Sequence, residues 1–315
     1  MSLSTASAGF PPLGQLMLAR TTMDRGCERR SHPGLLEGIW GADTTYVMFI
    51  ADGKTLVRGG KIVLLPSREQ AATDLSVYLG RAVEGADVPV GTDIVLSVLP
   101  EGTELSEYDG EWLSLRDVAA ELSAQDAGLF VEAVAISNWH LMHTHCPRCG
   151  ERTEVEQGGW VRRCPADGSQ HFPRTDPAII VSVIDEDDRL LLGRNSAWPA
   201  SRYSTLAGFV EPGESLEAAV VREIEEESGV VVHSPTYLGS QPWPFPASLM
   251  IGFTAVATDA VSVPDGVEIL ETRWFSRDEL ATALEADEIQ VASGISIARA
   301  LIEHWYGGAL PQAGR

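Results

Sequence analysis

Basic residues are scarce in this chain. Lys and Arg number 23 against 45 Asp and Glu, a formal charge of −22. So acidic a surface repels nucleic-acid backbones and anionic membranes, which argues against a protein that grips phosphate chains by charge alone. If it handles phosphates, cations must stand between, and metal ions are the obvious candidates. Cysteine is scarce as well. Of four, Cys146, Cys149 and Cys164 fall within 19 residues and Cys27 lies far away, which suits one metal site in a reduced compartment better than a disulfide framework. No run approaches the ~18 apolar residues of a membrane span. The start, MSLSTASAGFPPLGQLMLAR, lacks the basic opening and apolar core of a secretory signal. A cytoplasmic location with no membrane partner is therefore expected. What the chain does have is 44% hydrophobic residues over 315 positions, enough for packed cores in two or three domains.

Texture divides the chain into residues 1–140, 141–173 and 174–315. In the first part, Thr44 to Ile50, Lys61 to Leu65 and Asp93 to Leu99 read as strands, with a turn at Asp52-Gly53. A helical pattern runs from Leu115 to about His143, broken near Asp126-Ala127-Gly128. No chemical motif stands out, so a mixed α/β support or dimerisation domain is expected. The second part is polar and Gly-rich and cannot bury a core unaided. The third mixes strands at Ala178 to Ile184, Arg189 to Arg194, Leu206 to Val210, Ser248 to Thr258 and Glu268 to Phe275. Its helices are read over Ser215 to Glu227, Arg277 to Leu284 and Gly294 to Tyr306. That order predicts an α+β or α/β sandwich. No internal repeat is visible.

The helix after Ser215 carries the chemistry. Glu223, Glu226 and Glu227 stand at i, i+3 and i+4, sharing one sector of the helix about 100° wide. Leu216, Ala219 and Val220 lie in or beside that sector, so the carboxylates continue a partly buried stripe. Like charges at this spacing repel, and the last turns of a helix disfavour anions. Each penalty is up to ~1 kcal/mol, and all share one sign. Dications reverse every term, and Mg²⁺, which takes a few carboxylates and bridges to phosphates, suits the site. The bland alternative is an acidic surface helix.

Two further segments carry signals. Ser240 to Ser248 reads SQPWPFPAS. Its prolines stiffen the backbone and remove amide donors, so little ordering is lost on binding. Trp243 and Phe245 offer flat faces to nicotinamide or adenine, and Gln241 can pair with an amide or base edge. The alternative is a rigid connector with core aromatics. Cys146-x-x-Cys149 followed by Cys164 supplies three quarters of a tetrahedral Zn²⁺ site. Asp167, His171 or His145 can complete it, Asp167 being favoured by register and His171 by chemistry.

Gly208, Glu214, Arg222, Glu223, Ile224, Glu226, Glu227, Gly229 and Val230 match every defined position of the Nudix box. Followed by SQPWPFPAS, the segment resembles the NADH pyrophosphatase family of Nudix hydrolases. The resemblance implies a C-terminal α/β/α sandwich preceded by a zinc-ribbon-like segment. It implies that Glu223 and Glu227 are Mg²⁺ or Mn²⁺ ligands and that Glu226 is a ligand or the activator of water. It adds Glu268 and the peptide oxygen of Ala207 to the metal set, and Arg222 tying the helix to the preceding loop through Glu214. Substrate contacts are implied at Phe172, Phe209, Gln241, Pro242, Trp243, Pro244, Phe245, Pro246, Ala247, Ser248 and Ala298. Arg116 stands a few residues from a further such position. The family has a second Cys-x-x-Cys in its zinc ribbon, and Asp167 occupies the last cysteine position here. The implied reaction splits NAD(H) into nicotinamide mononucleotide and AMP in a homodimer in which Trp243 reaches toward the partner's pocket. RNA carrying a 5′ NAD cap is implied as a second substrate. The competing readings are a pyrophosphatase for another nucleotide-linked substrate such as ADP-ribose, and a non-catalytic nucleotide-binding protein.

Overall fold

The computed structural model of the protein describes residues 12–311. The first eleven residues, half of the stretch read above for a secretory signal, lie outside it. Packing separates two units. One is Met17–Thr175 together with Pro242–Ala247, and the other, among the described residues, is Asp176–Gln241 with 12–16 and 248–311.

The N-terminal unit holds β1 (Met23–Asp24), α1 (Cys27–Arg30), α2 (Leu35–Ile39), β2 (Thr45–Ala51), β3 (Lys54–Arg58), β4 (Lys61–Ile62), β5 (Leu65–Pro66), β6 (Leu75–Ala82), β7 (Asp93–Val98), β8 (Glu111–Ser114), α3 (Leu115–Val118) and α4 (Ala124–Met142). The sheet runs β1-β6-β7-β2-β3-β4, with β5 on β2 and β8 on β3. The β2–β3 hairpin turns at Asp52 and Gly53, φ 48° and 71°, the left-handed pair that a tight hairpin requires.

Two sequence expectations change here. The strand expected over Lys61 to Leu65 is two short fragments, β4 and β5, and Pro66 has no amide to extend a ladder. The helical break does not fall at Asp126–Gly128. It falls at 119–123, where the Ser123 hydroxyl accepts from the Asp126 amide at 3.1 Å and starts α4. Asp126 turns inward and accepts the Ile62 amide at 3.0 Å. Gly128 serves close packing, since a Cβ there would sit 2.5 Å from the Arg20 carbonyl oxygen.

A three-stranded antiparallel ribbon follows, β9 (Glu154–Glu156), β10 (Val161–Arg163) and β11 (Gln170–His171). Its support comes from neighbours, as its composition requires. The buried guanidinium of Arg162 bonds His140 Nδ1 of α4 at 2.9 Å and the Thr153 carbonyl at 3.0 Å. Trp160 donates to the Tyr78 carbonyl at 2.8 Å.

The C-terminal unit comprises β12 (Asp176–Ile184), β13 (Leu190–Asn195), β14 (Leu206–Phe209), α5 (Leu216–Ser228), β15 (Val232–Trp243), β16 (Ser248–Ala257), β17 (Ile269–Phe275), α6 (Arg277–Glu285) and α7 (Ile297–Tyr306). Its sheet runs β15-β16-β12-β13-β17 with β14 on β12. Strand alternation sorts the two faces. Ile179, Val181, Val183 and Leu191 pack with Ala219, Val220 and Ile224 of α5. Leu190 and Leu192 pack with Leu280 of α6 and Ile302 and Trp305 of α7. The result is the expected α/β/α sandwich. Sequence patterning missed β15, an edge strand with Pro235 inside it and a mostly solvated first half, the setting in which a strand tolerates proline.

The two units share one strand plan. The order β6-β7-β2-β3-β8 with β5 on β2 repeats as β15-β16-β12-β13-β17 with β14 on β12. In both, the central pair is parallel, β2 with β7 and β12 with β16. The absence of a visible repeat in the residues is thus corrected at the level of topology. Backbone pairing defines the plan and tolerates wholesale change of side chains. The position of α5 is filled in the first copy only by the short turn Ser67–Glu69.

Candidate active site

Helix α5 begins where the Ser215 hydroxyl accepts the Ala218 amide at 3.2 Å and ends at Gly229, φ 68°. Both are the signals a helix of this length uses. Arg222 ties it to the loop before it. Nε and Nη2 donate to the two oxygens of Glu214 at 2.8 Å each, and Nη2 also reaches the Phe209 carbonyl at 3.0 Å. Nη1 meets Glu223 at 2.8 Å and Glu226 at 3.1 Å. The Arg222 guanidinium holds the Glu214 carboxyl down to about 2, so this clamp is charged at any working pH.

Against α5 and β14 opens a cavity of about 360 Å³. Of the residues singled out from the sequence, Ala207, Phe209, Glu223, Glu227, Ser248 and Glu268 line it, and Glu211 and Met250 join them. Glu227 is buried, and burial first, then the charges of Glu268, Glu223 and Asp265, push its carboxyl up to about 8. Its Oε2 has no hydrogen-bond partner, and the Ala207 amide holds the carboxyl from the other side. Burial also raises Glu223. A Cβ on Gly208 would overlap the Glu223 carboxylate, so the box glycine is bare because an acid leans on its backbone. An unsatisfied oxygen among converging carboxylates is costly unless a cation takes it. The donor set, all oxygen, fits Mg²⁺ or Mn²⁺.

Sequence reasoning missed Asp265. Its carboxylate accepts the amides of Val267, Glu268 and Ile269 at 2.8–3.1 Å. It thereby shapes the turn that presents Glu268. The tripeptide Pro264-Asp265-Gly266 was the available turn signal.

Other expected residues lie elsewhere. Glu226 is exposed and held by Arg222. Gln241, read as able to pair with an amide or base edge, is buried, and its Nε2 donates to the Ile295 carbonyl at 2.6 Å. The Ala298 amide is taken by the Ser296 hydroxyl at 3.2 Å. Phe172 is 63% exposed. Trp243 and Phe245 meet edge to face at 5.2 Å. The Arg116 guanidinium lies over Phe245 at 3.9 Å and Trp243 at 5.1 Å. Asn138, not singled out from the sequence, donates to the Pro244 and Pro246 carbonyls.

The ribbon brings together Cys146, Cys149, Cys164 and Asp167, whose ligand atoms all lie within 4.8 Å of one another. Cys149 and Cys164 sulfurs are 3.5 Å apart and Cys146 sulfur is 3.8 Å from Asp167 Oδ2. Tetrahedral bonds of ~2.3 Å to one Zn²⁺ place ligand atoms about 3.8 Å apart, so the cluster fits the ion. No disulfide uses these thiols. The geometry groups Asp167, and not His171 or His145, with the three thiols. His171 instead meets the Ser169 hydroxyl at 3.2 Å, and His145 meets Thr144 at 2.9 Å. Zinc with this donor set is structural, because a closed site leaves no open position.

The sandwich and its acidic helix mark a metal-dependent hydrolase of the Nudix class, and comparison with known proteins narrows this. Family models match as a NUDIX domain over residues 173–293, an NADH pyrophosphatase zinc ribbon domain over 142–172 and an NADH pyrophosphatase-like rudimentary NUDIX domain over 44–139. The chain is 40% identical over 251 residues to the NAD-capped RNA hydrolase NudC of Mycobacterium bovis (strain BCG / Pasteur 1173P2), covering 73% of this chain and 80% of that protein. The same figures hold for NudC of Mycobacterium tuberculosis (strain ATCC 25618 / H37Rv). The human NAD-capped RNA hydrolase NUDT12 is 41% identical over 197 residues, 59% of this chain and 43% of its own length. Among solved structures, a NUDIX hydrolase from Nitrosomonas europaea aligns with TM-score 0.42 at 21% identity, over 54% of this chain and 97% of that one. The chain belongs to the NADH pyrophosphatase family of Nudix hydrolases.

Proposed function

We propose that this protein hydrolyses the pyrophosphate of NAD(H) to nicotinamide mononucleotide and AMP, and removes NAD caps from RNA 5′ ends by cutting the same bond. The observation that carries this reading is Glu227, a buried carboxylate with an unpartnered oxygen beside Glu223 and Glu268. Glu223, Glu227, Glu268, the Ala207 carbonyl and Glu226 are the proposed holders of Mg²⁺ or Mn²⁺. When bound, such ions screen the phosphates and lower the pKa of water. Water oxygen attacks one phosphorus while the bond from that phosphorus to the bridging oxygen breaks. One of the carboxylates, Glu223, Glu226 or Glu227, takes the proton, and each product keeps one phosphate. Arg222 keeps the helix registered on the Gly208 strand, so the acids do not drift.

For substrate, Phe209 and Ser248 line the cavity, and Trp243 and Phe245 offer rings on a proline-stiffened loop. Arg116, stacked on both rings and exposed, is the proposed cationic contact to the dinucleotide. Phe172, Gln241, Pro242, Pro244, Pro246, Ala247 and Ala298 remain proposed contacts by resemblance. The chain acidity limits contact with the RNA body to the first nucleotide or two. We further propose a homodimer in the cytoplasm, with residues 1–140 as support or dimerisation domain, 141–173 as zinc ribbon and 174–315 as the catalytic domain. Unpaired thiols in the ribbon favour a reduced compartment. Among the described residues no helix is long and apolar enough to cross a membrane.

The test is product identification from NADH, NAD⁺, ADP-ribose and NAD-capped RNA in parallel, with and without EDTA. AMP and nicotinamide mononucleotide, lost with EDTA, are expected from NADH. Binding of NADH without any product would leave only a nucleotide sensor, and turnover confined to ADP-ribose would reassign the substrate.

A further inference from the structure

The segment Pro242–Ala247 carries prolines at 242, 244 and 246, so half of its residues have no amide to donate. The Phe245 amide turns back to the Trp243 carbonyl at 2.7 Å. The loop therefore cannot hold its own shape by a backbone ladder, and its carbonyls need donors from outside. Asn138, in the body of α4, supplies them. Its Nδ2 donates to the Pro244 carbonyl at 3.1 Å and to the Pro246 carbonyl at 3.2 Å. These two carbonyls bracket Phe245. A primary amide has two N–H groups on one nitrogen, which matches two acceptors on one loop. The opposite amide orientation would set an oxygen against both carbonyls, so the acceptors themselves define which way the group points. Asn is also a poor choice for a helix interior, and here the side chain is turned to the loop rather than to the helix backbone.

We propose that Asn138 is a positioning residue for substrate recognition, holding the loop so that Trp243 and Phe245 are presented in one arrangement before ligand arrives. The inference rests on the reading of that loop as the ring-binding element of the NAD(H) site. Arg116 packs on the open faces of the same rings, but it is itself exposed. Asn138, half-buried on α4, donates to the loop backbone itself. Preorganisation acts on binding, not on phosphorus chemistry. Loss of Asn138 therefore raises KM and spares kcat.

The variants are N138D, which keeps the shape but sets a carboxylate oxygen against both carbonyls, and N138S, whose shorter hydroxyl stops short of them and removes the contacts without adding charge. Steady-state kinetics with NADH are measured on the full chain with Mg²⁺, alongside the thermal midpoint, with W243A and N138D/W243A as partners. N138D is expected to raise KM for NADH about tenfold, the loss of one to two hydrogen bonds read as affinity, with kcat within about twofold. N138S falls between, and N138D raises KM by less in the W243A background than in the native chain, the remainder acting through Phe245. Should N138D fail to accumulate folded, N138S against W243A carries the same comparison. A lower thermal midpoint with unchanged KM in N138S and N138D overturns the proposal, as does an effect of N138D that adds fully to that of W243A. If W243A itself leaves KM unchanged, it is the reading of the loop that fails, and the positioning role falls with it.

Discussion

Glu227 sits where three acids converge, Glu223, Glu268 and Asp265, and burial adds to their repulsion. Without a cation its carboxyl is raised to about 8, so at neutral pH a proton competes with the metal. Apparent Mg²⁺ affinity should therefore tighten from pH 6 to pH 8 in the native chain and change less over that range in Glu227→Gln, where Glu223, also raised by burial, remains, as read by calorimetric titration. The same variant should lose activity on the order of a hundredfold or more while the metal-free protein melts no lower than the parent. Full activity would remove Glu227 from the metal set. A second buried acid has no part in the chemistry. Burial raises Glu132 to about 7, against weaker attraction from Arg25 at 3.6 Å and Arg30 at 3.9 Å. Distance and the half-solvated Arg25 explain why burial wins. A folded pKa above the unfolded one stabilises fully below the unfolded value and is lost as pH rises through the folded one. Between pH 4 and 8 this group should cost the native chain on the order of 3 kcal/mol. Glu132→Gln should flatten that slope in denaturant titrations at several pH values. Superimposable slopes would show that the group does not titrate in the fold.

At the scale of elements, α5 was legible almost to the residue because its signals are local: a Ser cap, a left-handed Gly stop and an apolar stripe of period 3.6. Helix α4 was legible in kind and misjudged in detail. Gly128 reads as a breaker in sequence, yet it lies mid-helix because the Arg20–Thr21 backbone passes against it. In an exposed helix, Gly→Ala stabilises by roughly 1 kcal/mol. Here Gly128→Ala should instead lower stability by about 1–3 kcal/mol, since the clash is with backbone that cannot swing away. A raised melting temperature would show that the Arg20–Thr21 segment yields. Edge strand β15 escaped notice for the opposite reason: its prolines and exposed polar residues carry no alternation, and its existence depends on β16 offering an edge.

For the whole molecule, the zinc cluster joins residues 21 positions apart, and three of its four donors are soft. The fourth, Asp167, is anchored by the Ser169 amide at 2.9 Å and by the Ser169 hydroxyl. Asp167→Ala should reduce zinc to less than one ion per chain by elemental analysis and lower the thermal midpoint by several degrees, about 1–2 kcal/mol for a unit of this size. Asp167→Cys should restore both. Unchanged zinc content in the alanine variant would give the fourth place to another donor. The shared strand plan of the two units has a corollary: the first unit keeps the sheet but has only Ser67–Glu69 where the second has its acidic helix. The catalytic Mg²⁺ or Mn²⁺ site is therefore proposed for the second unit alone, the zinc cluster of the first being structural.

Sequence by itself determined the acidic helix, the three cysteines, the stiff aromatic loop and the layered class of the C-terminal unit. Each is written in neighbours a few residues apart, where spacing and propensity act without help. Tertiary structure alone decided that Asp167 and not His171 faces the thiols, that Gln241 donates to the Ile295 carbonyl, that Asp265 shapes the approach of Glu268, and that Asn138 meets the loop carbonyls. These outcomes depend on which distant backbones come within about 3 Å of one another, a quantity that packing sets and local pattern does not contain.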